Sequence, residues 1–151
     1  MEDRPTHLIE FETMLYERFR HLANPSARRR GGLDRSAYLL LSRLQAEGPM
    51  SIGELSDAFR LDVSTLNRQT AAMLKSDLVE RIPDPDGGIA RKFRITAEGH
   101  DRLEEERAAG VASLDRVLAG WSADDVAAFA GYLRRFNTDI ERLAGRPWPR
   151  G

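Results

Sequence analysis

The chain has 151 residues, the size of one domain, and its 41% hydrophobic and 31% charged residues exclude a wholly disordered chain. With no cysteine it holds no disulfide, thiolate metal site, cysteine nucleophile or thiol redox switch. No apolar run approaches the roughly 18–20 residues of a membrane span, and the charged start Met1-Glu2-Asp3-Arg4-Pro5 lacks a signal core, so a soluble cytoplasmic protein with no membrane partner is expected. The formal charge of −1 hides a pattern: residues 18–43 carry seven arginines against Asp34, whereas residues 1–17, 44–59 and 97–151 are each net acidic. A basic region on an otherwise acidic molecule suffices for a nucleic-acid partner.

From Thr6 to about Leu22, apolar residues at Leu8, Phe11, Leu15, Phe19 and Leu22 recur in steps of 3 and 4 and predict an amphipathic helix, ended by Asn24-Pro25-Ser26. After the Arg28-Arg29-Arg30-Gly31-Gly32 loop, Asp34 or Ser36 caps a second helix with Tyr38, Leu39, Leu41 and Leu44 on its apolar face, closed by Gly48-Pro49. Ser51 and Glu54 have capping-box spacing and start a helix of about eight residues through Ile52, Leu55 and Phe59. Three residues later Asp62 is placed as N-cap of a helix over Val63–Ser76, with Val63, Leu66, Thr70 and Met73 inward. Two short helices joined this tightly form a helix-turn-helix. The alternating stretches Leu78–Ile82 and Ala90–Ile95, joined by Pro83-Asp84-Pro85-Asp86-Gly87-Gly88, predict a β-hairpin, which makes the unit a winged helix.

Thr96 caps a long fifth helix with Leu103, Val111, Leu114, Leu118 and Trp121 on one side. In the last helix Val126, Phe129, Leu133, Phe136, Ile140 and Leu143 form a coiled-coil-like seam too apolar to leave in water. The small winged-helix core cannot cover the stripes of the terminal helices, so they are expected to pack on a second copy in a two-fold dimer. The expected fold is mainly α (α+β), a winged helix-turn-helix with N- and C-terminal dimerisation helices. It spans residues 6–145, with residues 33–96 as the DNA-binding lobe, 6–24 and 97–145 as the dimerisation region, and 146–151 as a frayed tail.

Nearly the whole chain, from about Leu8 to Leu143, resembles the multiple antibiotic resistance regulator (MarR) family of bacterial transcription factors. The resemblance is carried by Ile52-Gly53-Glu54-Leu55-Ser56-Asp57-Ala58-Phe59, Leu61-Asp62-Val63-Ser64-Thr65-Leu66-Asn67-Arg68, Leu78-Val79-Glu80-Arg81, Pro83-Asp84-Pro85-Asp86 and Ile95-Thr96-Ala97-Glu98-Gly99, in this order and spacing. It implies a homodimeric repressor on a pseudo-palindromic operator of double-stranded DNA, often released by a small aromatic effector bound between the dimer helices and the DNA-binding lobe. The recognition helix is placed at residues 62–76 and the wing at 83–91. The chain departs from the family pattern at Arg60 and Asp77, which stand where glycines are usual, and at Ala71-Ala72, where an acidic-basic pair is common. It departs also at the wing tip, where Gly87-Gly88-Ile89 replaces Asp-x-Arg and leaves Arg91 as the nearest substitute.

Helical phasing about Leu66 turns Ser64, Arg68, Ala71 and Lys75 outward, flanked by Thr65 and Asn67. Ser64, Thr65, Asn67, Arg68 and Lys75 are therefore the expected DNA-contacting residues, small and hydrogen-bonding side chains at the leading end and an arginine able to reach guanine or phosphate. Gln69 turns toward the interior. Ser51 caps its helix and is a phosphate candidate; Arg91 and Arg94 are candidates for phosphate or minor-groove contact, with plain surface charge as the alternative. Tyr16, Phe19, Tyr38 and Trp121 are candidates for an aromatic effector pocket, with core or dimer packing as the alternative. Arg28, Arg29 and Arg30 read as a solvated loop, with phosphate contact or an ion pair with Glu104-Glu105-Glu106 as the alternative. His7, His21 and His100 share no metal-ligand spacing, and no nucleophile, phosphate-loop or dinucleotide motif is present, so neither an enzyme nor a metal or cofactor is expected. A dimeric protein-interaction or small-molecule-sensing module with weak or no DNA binding is the competing reading.

Overall fold

The structure, a computed structural model, describes residues 3–23 and 32–150. Its order is α1 (Thr6–Ala23), α2 (Arg35–Glu47), α3 (Ile52–Phe59), α4 (Val63–Lys75), β1 (Val79–Ile82), β2 (Lys92–Ile95), α5 (Ala97–Val117) and α6 (Ala123–Ala144). The expected stop at Asn24-Pro25-Ser26 and the Arg28-Arg29-Arg30 loop lie outside the described residues.

The helix starts follow the local chemistry read from the sequence. Asp34, Ser51 and Thr96 each stand at the expected N-cap and accept a backbone N–H with the side chain, as does Ser122 at the start of α6, for which no cap was expected, and Ser51 with Glu54 forms a complete capping box. Asp62 also occupies an N-cap position, but its carboxylate makes no capping hydrogen bond. α4 ends in a Schellman motif, with Asp77 left-handed at φ 59°, its N–H on the Leu74 carbonyl and the Leu78 N–H on that of Met73. That closure takes the Leu78 N–H, so β1 begins one residue later than expected.

β1 and β2 pair antiparallel with Val79 opposite Ile95 and Ile82 opposite Lys92. Ala90 and Arg91 fall outside the strand. Met50 adds a bridge that the sequence did not suggest, exchanging hydrogen bonds of 3.1 and 2.8 Å with Phe93 and so fastening the start of α3 to the wing. Leu40, Leu41, Leu44, Met50, Leu55, Leu66, Met73, Leu78, Val79, Phe93 and Leu103 close one core between α2, α3, α4, the hairpin and the first half of α5. Val63, expected inward, is exposed: it holds the first helical position of α4, ahead of Leu66 where that helix meets the core.

The terminal helices are different. Among the described residues none of α6 is buried, and Phe129, Leu133, Phe136 and Ile140 are each close to half exposed. Leu8, Phe11, Met14 and Phe19 of α1, with Val111, Leu114 and Val117 of α5, share this exposure. α5 ends at Val117, so Leu118 and Trp121 lie in the turn before α6 rather than on the helix; Trp121 sets its ring 5.6 Å from that of Phe129. The tail does not fray: Trp148 packs edge-on against Phe59 of α3 with ring centroids 5.5 Å apart. Among the described residues no helix is long and apolar enough to cross a membrane.

Candidate nucleic-acid interface

α4 buries Leu66, Thr70 and Met73 and exposes Ser64, Asn67, Arg68, Ala71 and Lys75 on the opposite side, as the phasing requires. Thr70 is satisfied within the helix, its hydroxyl donating to the Leu66 carbonyl at 2.7 Å. The outer face carries no such commitment apart from a long contact of Arg68 Nη2 with Thr65 Oγ1 at 3.4 Å, which keeps the guanidinium over the first turns. Gln69 is half-buried, and Lys75 stands exposed in the last turn. Exposed Val63, with Leu61 beside it, adds an apolar leading edge that the sequence reading missed. Periodicity is a weak guide in a first turn, where a residue at the right phase still lies beyond the core.

The turn into α4 is held from both sides. Arg60 closes α3 in the left-handed region at φ 52°, ψ 43°, a conformation that costs a non-glycine residue on the order of 1 kcal/mol. The Ser56 hydroxyl donates to the Leu61 carbonyl at 2.6 Å, and the Leu61 N–H returns to the Ser56 carbonyl at 3.3 Å. Ser51 accepts from the Glu54 N–H at 3.1 Å, so its side chain is engaged in capping.

In the wing, three of the four basic side chains have partners. Lys92 lies 3.1 Å from Glu54 and 3.7 Å from Asp84, which ties the hairpin to α3. The hydrogen bond to Glu54 outweighs desolvation and, with the charges of Glu54, Asp84 and Asp86, raises the Lys92 pKa. Burial pulls the Glu54 carboxyl up, but hydrogen bonds from Lys92 and Ser51 prevail and leave it below its ordinary value. Arg94 donates to Glu80 directly across the ladder at 2.8 and 2.5 Å, and Arg81 lies over the Phe93 ring at 5.5 Å. Arg91 is exposed and has no partner among the described residues. At the tip Gly87 takes φ 84° and Ile89 is fully exposed.

The four aromatic candidates are dispersed. Tyr16 and Phe19 are exposed on α1, Tyr38 packs against the core, and Trp121 lies in the α5–α6 turn. None of them lines the two depressions described by their borders, one beside the returning tail and one beside α4. One of these, about 340 Å³, opens between the start of α2, α4 and α5 and is bordered by Leu33, Ala37, Arg68, Gln69, Met73 and Arg102. Above it the Leu33 N–H donates to buried Glu106 at 2.8 Å. Among the described residues no three acidic or histidine side chains are grouped to hold a metal ion.

A family model described as the MarR family matches residues 33–87, which run from the start of α2 to the wing tip. The uncharacterized HTH-type transcriptional regulator YxaD of Bacillus subtilis (strain 168) is 36% identical over 133 residues, 88% of this chain and 93% of that protein. A MarR family protein from Bacillus stearothermophilus has a similar fold, with a TM-score of 0.76 at 21% identity, covering 92% of this chain and 99% of that one. The PcaV transcriptional regulator from Streptomyces coelicolor, solved in complex with its natural ligand, aligns with a TM-score of 0.62 at 22% identity, covering 91% of this chain and 96% of that one.

Proposed function

Because the chain belongs to the MarR family of transcriptional regulators, a non-enzymatic class whose members bind DNA and act as dimers, we propose that it is a homodimeric, ligand-responsive repressor working in the cytoplasm on a pseudo-palindromic operator. The observation that carries the reading is α4: one face is locked into the core, and the other offers Ser64, Asn67, Arg68 and Lys75 uncovered. Such a helix fits the major groove, with Arg68 on a guanine edge or phosphate and Val63 against a thymine methyl. Lys75, at the far end, suits a phosphate. In the wing, Arg91 is the cation left for the backbone or minor groove, while Arg94, held by Glu80, serves the hairpin instead.

The apolar faces of α1, α5 and α6 are the dimer surface in this reading. Their extent supports it: they run along α1, α6 and the second half of α5 and stay about half exposed or more among the described residues. The depression beneath Arg68 is the proposed effector site, since a small aromatic anion there would draw on a side chain that also serves the recognition face.

DNA selected by the full-length protein from a random duplex library, followed by a salt-titrated gel shift, tests the function. Binding should weaken steeply with salt as counterions are released, and a salt-independent or undetectable shift would refute it.

A further inference from the structure

After Gly145 the chain doubles back onto α2 and α3. Trp148 meets Phe59 edge-on, and the Arg43 guanidinium lies 4.8 Å over the indole. Glu141 of α6 fastens the returning segment: it accepts the Trp148 N–H at 2.5 Å and both arms of Arg150 at 2.8 and 2.6 Å. Arg150 and then the Trp148 N–H hold the Glu141 carboxyl below its ordinary pKa. Arg146 adds an ion pair of 3.7 Å with Asp57 of α3. From the other side Arg60, in the turn of the helix-turn-helix, donates through Nη2 to the carbonyl of Ala144, the last residue of α6, at 2.6 Å. Arg60 thus occupies a left-handed position that a glycine would take without strain, and its side chain spans to the terminal helix.

Among the described residues these contacts add a second link between the DNA-binding lobe and α6, beside the one that α5 makes. The lobe is attached along α5 through the Thr96 junction and the α2–α5 packing, and one helical attachment permits bending about it. The α6 clasp grips the lobe at a second point, on α3 and only three residues before α4 starts.

We propose that Arg60 and Trp148 are positioning residues for DNA binding: they lock the lobe to the end of α6 and so set the separation and angle of the two recognition helices in a dimer. This rests on the dimeric DNA-binding reading above. A clasp of this kind should appear as selectivity for half-site spacing, because each added base pair moves a half-site by about 3.4 Å and turns it by about 34°.

The test uses the full-length chain and a duplex operator selected by the wild type, with the spacer between half-sites shortened or lengthened by one and two base pairs. The wild type should prefer its own spacer by about tenfold over a one-base-pair change, the scale of a single mismatch. Arg60→Gly, which relaxes the turn, and Trp148→Ala should each flatten that preference to within about threefold. Trp148→Phe, which keeps a ring edge on Phe59, should restore it. Loss of a direct phosphate contact would instead weaken all spacers equally and lower the salt slope by about one. Uniform weakening, or an unchanged spacer profile in both variants, overturns the proposal. A wild type that selects no DNA overturns the functional reading itself, a different failure from a selective wild type whose variants stay selective.

Discussion

Gly99 has no room for a methyl group: a Cβ built there would overlap the carbonyl oxygen of Leu78 and stand 3.0 Å from the Ile95 side chain. The first turn of α5 is pressed against the start of the hairpin, where the Leu78 carbonyl already accepts the Thr96 N–H at 3.1 Å. Because the obstacle is backbone, Gly99→Ala should cost about 1–3 kcal/mol of overpacking strain, read as a lower urea midpoint; an unchanged midpoint would contradict the packing. Glu54 supplies a pH dependence of definite sign. Its folded pKa lies below the ordinary 4.5, so its stabilising contribution is present above that value and fades as pH falls through the folded pKa. The stability difference between wild type and Glu54→Gln should therefore be constant near neutrality and shrink below pH 4.5. A gap that widened on acidification would show that the Glu54–Lys92 tie is absent. The pair is partly solvent-exposed, which keeps the effect small.

At the scale of elements, the two N-caps of the helix-turn-helix are both favoured capping residues but differ in structure. Ser51 completes a capping box, whereas the Asp62 side chain makes no capping bond. Ser51→Ala should cost about 1 kcal/mol and Asp62→Ala only a few tenths, a ranking that thermal unfolding of the two variants checks. On α4, Arg68→Ala should weaken operator binding by about 1–3 kcal/mol if Arg68 reads a base, and Lys75→Ala should lower the salt slope by about one; gel shifts across a salt series measure both. The sequence made most of these elements legible because local signals agree: Ser51 with Glu54, the 3–4 spacing of Leu66, Thr70 and Met73, and the turn residues of the wing. It failed where a tertiary partner decides. Val63 has the right phase but no core beneath it, Met50 finds Phe93 across 43 positions, and Trp148, flanked by prolines, finds Phe59. The outward face of α4 could be read from phase alone; that Arg94 is taken by Glu80 while Arg91 has no partner among the described residues needed the strand register.

The whole molecule carries a closed core in its middle and open apolar faces at its ends. Phe129, Leu133, Phe136 and Ile140 repeat along α6 at helical spacing and stay about half exposed among the described residues, a pattern that association of two copies would bury. Phe136→Glu would place a charge in that seam and should yield folded monomers by sedimentation velocity, with operator affinity reduced because the half-sites are then bound independently. Association through the end helices would leave both copies of α4 outside the seam, and the clasp between α6 and α3 would pass the geometry of the seam to the two α4 helices. The most direct measurement is the stoichiometry of the wild-type chain on a labelled duplex bearing both half-sites, determined by sedimentation equilibrium near the binding midpoint. Two chains arriving together, with no populated one-chain complex, is the result expected; a single chain per duplex, or two half-sites filling independently, would contradict it.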